Sequence, residues 1–317
     1  MQSIIQRLFQ IAFRIVETVA PTLAGKWAIK LFFTPLKPKR PRREEALIKD
    51  ATIQKVSLQE SFDKSITQPY FVTYSWGKGP VVLLVHGWGG RGSQVATLAQ
   101  PLVDSGYRVV TFDALAHGDS PGKQTNILEF KQIIQHIEAM EGGFYAIIGH
   151  SFGGVAAALA VSEGVKAEKL ATIGTPASME FVFDQFASII NASGSSIEKL
   201  TYYIEHLAQR RIDEFSLTNI VTKLNQPGLI IHDKNDREVS HTEALALAKQ
   251  WTGSELVVTE GLGHRRILRD EAVISKIIGY IATDEDQESS DIIEAKSTES
   301  QFALKLPLDV PVSSVIV

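Results

Sequence analysis

Through its middle, the chain alternates short apolar runs with longer stretches that carry apolar residues at helical spacing. Residues 53–58 and 70–76 alternate apolar with polar positions, which predicts half-exposed antiparallel strands. Gly77 and Gly79-Pro80 then punctuate the chain. Residues 81–85, VVLLV, are apolar throughout, the pattern of a strand buried on both faces of a parallel sheet. The same reading predicts a helix over 93–104, a strand over 107–113, and a helix over 124–140 with Ile127, Phe130, Ile134 and Ile137 on one face. A strand from Phe144, a helix after Ser151 and a strand over 170–173 follow. GLIIHD and ELVVTE are the last strands, with helices over 241–250 and 266–281. Repeated β-α units of this kind predict an α/β fold, a mostly parallel central sheet with helices on both faces. Ligands of such sheets bind at the carboxyl ends of the strands. Residues 177–216 break the rhythm with helix-like stretches and no strand, which predicts a small helical cap inserted into the body.

The two ends differ from this body, taken as residues 49–283. Residues 1–48 form a basic, amphipathic arm with Ile4, Leu8, Ile11 and Ile15, then Trp27, Leu31 and Phe32, at helical spacing. Arg7, Arg14 and Glu17 interrupt any stretch long enough to span a bilayer, and Arg14 would fall inside the apolar region of a signal peptide. Two readings of the arm stand: a helix packed on the body or a partner, or an interfacial helix on an anionic membrane. Residues 284–317 begin as an acidic, serine-rich tail, the composition of a solvated segment. The tail ends in ALKLPLDVPVSSVIV, apolar enough to dock on the body or a partner.

A net charge of −4 gives no support to nucleic-acid binding, which usually shows as a basic face, so no nucleic-acid partner is expected. The absence of cysteine excludes disulfides, thiolate metal sites and a cysteine nucleophile, and fits a reducing, cytoplasmic setting. No His-Glu-x-x-His or grouped carboxylates suggest a metal. GWGGRG lacks the Gly-Lys-Ser/Thr of a phosphate loop. No cofactor is therefore expected.

The candidate chemistry sits in FYAIIGHSFGGVAAALAV, where an apolar strand turns into a helix at a lone serine. A free hydroxyl is a weak nucleophile, so an enzyme must expose it, remove its proton and stabilise the oxyanion that forms. A strained strand-to-helix corner supplies exposure, and Gly149-x-Ser151-x-Gly153 leaves room for the neighbouring strand and helix. GHSFGG here, LLVHGWGG ahead of it and DALAHGDSPG between them resemble the α/β-hydrolase fold superfamily, in its esterase, lipase and peptidase-like branches, over residues 72–281. The resemblance implies Ser151 as nucleophile and the backbone amides of Trp88 and Phe152 as the oxyanion hole. HDKNDREV implies Asp236 as the acid, and EGLGHRRI implies His264 as the base. The order Ser151, Asp236, His264 is the one such a fold requires.

Asp233 stands where the family often has glycine, and is read as a turn-stabilising residue rather than the acid. His86, His117 and His150 are read as loop-shaping or packed, His136, His206 and His241 as ordinary helix residues, and Asp113 as structural. Trp88 is expected to offer its indole to the pocket wall as well. Phe181, Phe183, Phe186, Tyr202 and Tyr203 of the cap either cover the pocket or form the cap's own core; if some line it, the acyl group is apolar. The resulting expectation is a serine hydrolase of carboxylic esters acting through an acyl-enzyme on a small apolar acyl substrate. Thioesterase or amidase chemistry on the same triad, and a non-catalytic binding protein, remain open beside it.

Overall fold

The computed structural model describes residues 4–282. Its strands in chain order are β1 (Thr52–Ser57), β2 (Tyr70–Trp76), β3 (Val81–Val85), β4 (Arg108–Asp113), β5 (Phe144–His150), β6 (Ala167–Ile173), β7 (Gly228–Asp233) and β8 (Glu255–Thr259). They form one sheet in the order β1-β2-β4-β3-β5-β6-β7-β8. β1 pairs antiparallel with β2, and β2 with β4; every later pairing is parallel. The apolar run at β3 now has its reason. Leu83 and Val85 enter the core on one face of the sheet, and Val82 and Leu84 the core on the other.

The helices in chain order are α1 (Ile4–Val19), α2 (Pro21–Phe32), α3 (Arg42–Leu47), α4 (Gly92–Val95), α5 (Ala99–Asp104), α6 (Ile127–Glu141), α7 (Phe152–Ser162), α8 (Met179–Ile190), α9 (Gly194–Ala208), α10 (Leu217–Ile220), α11 (His241–Gln250), α12 (Gly263–Arg266) and α13 (Glu271–Ile281). Phe130, Ile133 and Ile134 of α6, the alanines of α7 and Leu247 of α11 cover one face; Leu102 of α5 and Ile277 of α13 cover the other.

Three expectations shift in detail. β2 is buried rather than half-exposed, because it lies between β1 and β4 with both its faces covered: Phe71 joins one core, Val72 and Tyr74 the other. The helix expected over 93–104 is divided into α4, a 3₁₀ turn and α5, whose first turn holds Pro101; proline has no amide to continue the ladder. α13 starts only at Glu271, since the Asp270 carboxylate accepts the Val273 amide (3.1 Å) and caps it.

The arm folds as a hairpin of α1 and α2 against the cap helices α8 and α9. Phe13, Ala24, Ala28 and Ile190 form a small separate core, flanked by Phe9, Val16 and Phe186. Polar contacts fix the hairpin at helix ends. Glu17 accepts the Ser193 amide (2.9 Å) and both the Ser193 and Ser196 hydroxyls (2.7 and 2.5 Å), at the start of α9. Burial opposes its charge, but the bonds from Ser196, Ser193 and Arg14 outweigh that and hold its pKa down to about 2. At the other end, the Gln10 amide donates to the Ser188 and Ile189 carbonyls, where α8 has no internal donors left. α3 is docked on the body by a buried bidentate pair, Arg91 with Glu44 (2.6 and 3.1 Å). Among the described residues, no helix is long and apolar enough to cross a membrane. The acidic tail and apolar terminus expected over 284–317 lie outside the described residues.

Candidate active site

Ser151 sits at the corner between β5 and α7 with φ 55° and ψ −127°, a backbone conformation that costs a non-glycine residue energy. The surroundings enforce it. A Cβ on Gly149 would stand 2.5 Å from the Cα of Gly154, and one on Gly153 would stand 2.5 Å from the His86 carbonyl oxygen. The helix and the loop after β3 can therefore approach only glycine at those two positions. The Ser151 amide donates to the Ile173 carbonyl (2.8 Å), which ties the corner to the end of β6.

The loop after β3 lies directly against this corner: a Cβ on Gly87 would come within 2.9 Å of the Ser151 Cβ. Trp88 follows, its ring edge-on to Phe152 (5.2 Å between centroids). Phe152 opens α7, so its amide is one of the helix's donors without an internal acceptor. The two residues whose amides are expected to hold an oxyanion, Trp88 and Phe152, thus line the same cavity as the serine.

His86 and His117 keep that loop in shape. His86 donates from Nδ1 to the Gly87 carbonyl (2.8 Å), and its Nε2 accepts the Ala114 amide (3.1 Å). His117 donates from Nδ1 to the Leu115 carbonyl (2.9 Å), and its Nε2 accepts the Gly89 amide (2.9 Å). An accepting Nε2 requires a neutral ring. Burial pushes the His86 pKa down to about 4, while burial and the neighbouring His86 push His117 down to about 3.

The acid and base candidates meet on the far side of the corner. His264, in α12, donates from Nδ1 to Asp236 Oδ2 (2.7 Å). Asp236 Oδ1 accepts the amides of Glu238 (2.8 Å) and Val239 (2.9 Å). Burial raises the pKa of Asp236, but the hydrogen bond and charge of His264, with those two amides, bring it below the ordinary carboxylate value. Both side chains lie over Gly174 at the end of β6: a Cβ there would be 3.2 Å from His264 Nδ1 and 3.4 Å from Asp236 Oδ2. The residue after Ile173 therefore touches the pair, while Ile173 itself holds the serine's amide.

Asp233 takes another part. It accepts the Asn235 amide (2.9 Å), the Thr259 hydroxyl (2.8 Å) and the Leu262 amide (3.0 Å), and so fastens the loop after β7 to the loop after β8. These contacts separate the two carboxylates experimentally. Asp236→Asn is expected to lower kcat about 10⁴-fold, because an amide can donate to His264 Nδ1 and favour the wrong tautomer, and it carries no charge to stabilise the imidazolium. Asp233→Asn is expected to cost about 1–3 kcal/mol of stability and to leave the folded fraction near wild-type kcat. Steady-state kinetics alongside urea unfolding distinguish them; the reverse pattern would exchange their roles.

Two histidines contribute more than the sequence suggested. His150 is buried, its Nε2 donating to the His264 carbonyl (2.8 Å) with the rings 4.6 Å apart. Burial and the adjacent His264 push its pKa down to about 3. The residue before the serine thereby positions the backbone of the candidate base. His232, the fifth residue of β7, donates from Nε2 to the Val239 carbonyl (3.0 Å) and stands 3.6 Å from Asp236 Oδ2. Nothing in GLIIHD beyond a polar residue in an apolar strand points to that role.

Beside Ser151 lies a cavity of about 300 Å³ with almost entirely apolar walls. Trp88, Phe152, Phe181 and Phe186 line it, and so do Leu31 and Phe32 of the arm. Of the cap aromatics, Phe183 instead packs with Phe33, Leu200 and Ile204 in a core between arm and cap. Tyr203 packs against Phe33 (6.0 Å), and Tyr202 lies outside at 72% exposure. Among the described residues, no group of three or more His, Asp or Glu side chains is placed to hold a metal ion.

Comparison with known proteins gives this arrangement its context. The sequence model of the alpha/beta hydrolase family matches residues 82–276. A human serine hydrolase-like protein is 35% identical over 91 residues, 26% of this chain and 43% of that protein, so the chain spans less than half of that relative's length. Among solved structures, an esterase from Pyrococcus furiosus superposes with a TM-score of 0.57 at 17% identity, covering 78% of this chain and 98% of the esterase. A membrane phospholipase A described as a bacterial virulence factor gives 0.56 at 18% identity, covering 78% and 89%. The thioesterase domain of the curacin biosynthetic pathway gives 0.53 at 18% identity, covering 73% and 100%. At such identities these three show a common fold. With the family model extending over most of the body, this chain is a member of the alpha/beta hydrolase family.

Proposed function

We propose that the protein is a serine hydrolase that cleaves carboxylic esters with apolar acyl groups. The observation that carries the reading is the Asp236–His264 hydrogen bond (2.7 Å), set at the strand ends beside a strained serine that opens on an apolar cavity. In this mechanism Asp236 holds the proton on His264 Nδ1, which leaves Nε2 as the base. Nε2 takes the Ser151 proton as Oγ attacks the ester carbonyl carbon. The tetrahedral oxyanion is stabilised by the Trp88 and Phe152 amides. The imidazolium then gives its proton to the departing alkoxide, and the acyl-enzyme remains. Water repeats the attack, with His264 again taking and returning the proton, and the carboxylic acid leaves. A thioester passes through the same steps with a thiolate as leaving group, so the ester assignment rests on the substrate series below.

A fluorophosphonate probe reports the nucleophile directly. Wild type is expected to be labelled, and Ser151→Ala to remain unlabelled. Turnover of p-nitrophenyl esters of increasing chain length, with matched thioesters, then sizes the cavity and ranks the two leaving groups. A folded wild-type protein that takes up no probe and turns over neither series would instead be a binding protein on this fold.

A further inference from the structure

α1 has one broad apolar face, and its packing on the cap uses only one edge of that face. Phe9, Phe13 and Val16 face inward to the small core shared with α2 and α8. Along the rest of the face, Ile4, Leu8, Ile11, Ile15 and Val19 recur at steps of four, three, four and four, which places them on one stripe of α1. Their exposures are 78, 60, 57, 57 and 75%, and Ile5 beside them is 80% exposed. A helix needed only to brace the cap would carry polar residues there. An apolar stripe running the length of a helix about 24 Å long is the kind of surface that marks an interaction site.

The charges around the stripe favour one occupant. Across α1 and α2 the cations are Arg7, Arg14, Lys26 and Lys30, all in exposed positions, and the one carboxylate is Glu17. Glu17 is turned inward onto Ser193 and Ser196, with its side chain 9% exposed, and Arg14 pairs with it (2.6 Å), which leaves Arg7, Lys26 and Lys30 as the hairpin cations not paired with a carboxylate among the described residues. The outward surface of the hairpin therefore offers apolar groups and positive charge. Arg7 and Arg14, seven residues apart, sit together on one shoulder of the stripe, and α2 adds exposed Leu23 (57%) and Trp27 (36%). A second copy docked symmetrically on this stripe would bring like charges together, because an isologous contact pairs each patch with itself. An anionic lipid surface satisfies both features.

We propose that the hairpin seats the protein on an anionic phospholipid bilayer, with α1 lying in the interfacial plane and its stripe among the upper acyl chains. The same hairpin supplies Leu31 and Phe32 to the cavity wall, so docking would bring the cavity beside the lipid. Binding is read without turnover, so this inference stands or falls separately from the hydrolytic one.

The test is co-sedimentation of the full chain with vesicles of phosphatidylcholine alone, or with roughly a quarter phosphatidylglycerol. Wild type is expected in the pellet with the anionic vesicles, and less so at high salt. The variant Leu8→Glu/Ile11→Glu/Ile15→Glu leaves Phe9, Phe13 and Glu17 untouched and is expected to lose more than about tenfold in partitioning, with its circular dichroism unchanged. Arg7→Gln/Lys26→Gln/Lys30→Gln is expected to erase the preference for anionic over neutral vesicles. Three results would overturn the proposal: wild type remaining in the supernatant with anionic lipid at low salt, the triple-glutamate variant pelleting like wild type, or light scattering that shows a dimer dissolved by that variant with no vesicle binding.

Discussion

Replacing Ser151 with alanine is expected to lower ester turnover by about 10⁴- to 10⁶-fold, and His264→Ala by a similar factor. The double variant is expected to cost little beyond either single change. The reason lies in what each group does for the other. Ser151 Oγ is a weak nucleophile until an imidazole takes its proton, and that imidazole has no catalytic proton to move once the serine is gone. The residual rate in all three variants would come from the cavity and from the amides of Trp88 and Phe152, which none of the substitutions touches. Active-site titration must accompany the rates, since trace wild-type enzyme would mask losses of this size. Losses that multiply in the double variant would mean that serine and histidine act independently, and the acyl-enzyme route would be abandoned.

The sheet was legible in the sequence because burial on two faces leaves a plain signature. VVLLV at β3 has neighbours on both sides, so neither face tolerates polar side chains. The same logic misled at β2. Its Thr73 and Ser75 read as an exposed face, yet both are buried between β1 and β4. Alternation reports which residues a strand carries, and only the order of strands decides what covers them.

The site divides along a similar line. Residues whose role follows from local backbone geometry could be read directly: the glycines around Ser151 are required by contacts within a few residues of it and by the loop after β3. Residues whose role depends on a partner distant in sequence could not. His150 and His264 are 114 positions apart, and no local pattern records that one holds the carbonyl of the other. The arm's place in the cavity wall was hidden for the same reason. Leu31 and Phe32 read as the apolar side of a basic helix, and only its docking on α9 brings them to the pocket beside Ser151.

Between pH 7 and pH 5 the protein is expected to lose about 2 kcal/mol of stability for each of His86, His117 and His150. In the unfolded chain an imidazole takes up its proton near pH 6.5. In the folded protein burial delays this to about 4 for His86, and to about 3 for His117 and His150. Over that interval the unfolded state therefore binds more protons than the folded one, and stability falls as pH falls. It is complete above about pH 6.5 and continues to decline toward the folded values. His232, also lowered by burial, adds in the same direction. The depressed carboxylates of Asp236 and Asp233 act in the same sense but at lower pH, since they stay ionised in both states above about pH 5. The steep region above pH 5 thus belongs to the histidines. Buried Glu129, its pKa raised, acts in the opposite sense at the acid end of this range, and against the roughly 5–15 kcal/mol of an ordinary domain a marked loss of stability by pH 5 is the expected outcome. Urea titrations at half-unit steps of pH measure the slope, and a flat profile over this range would mean that these rings are not held neutral. Folded His117 takes up a proton only near pH 3, well below this interval, so it keeps accepting the Gly89 amide and the loop after β3 keeps its anchor until the fold gives way.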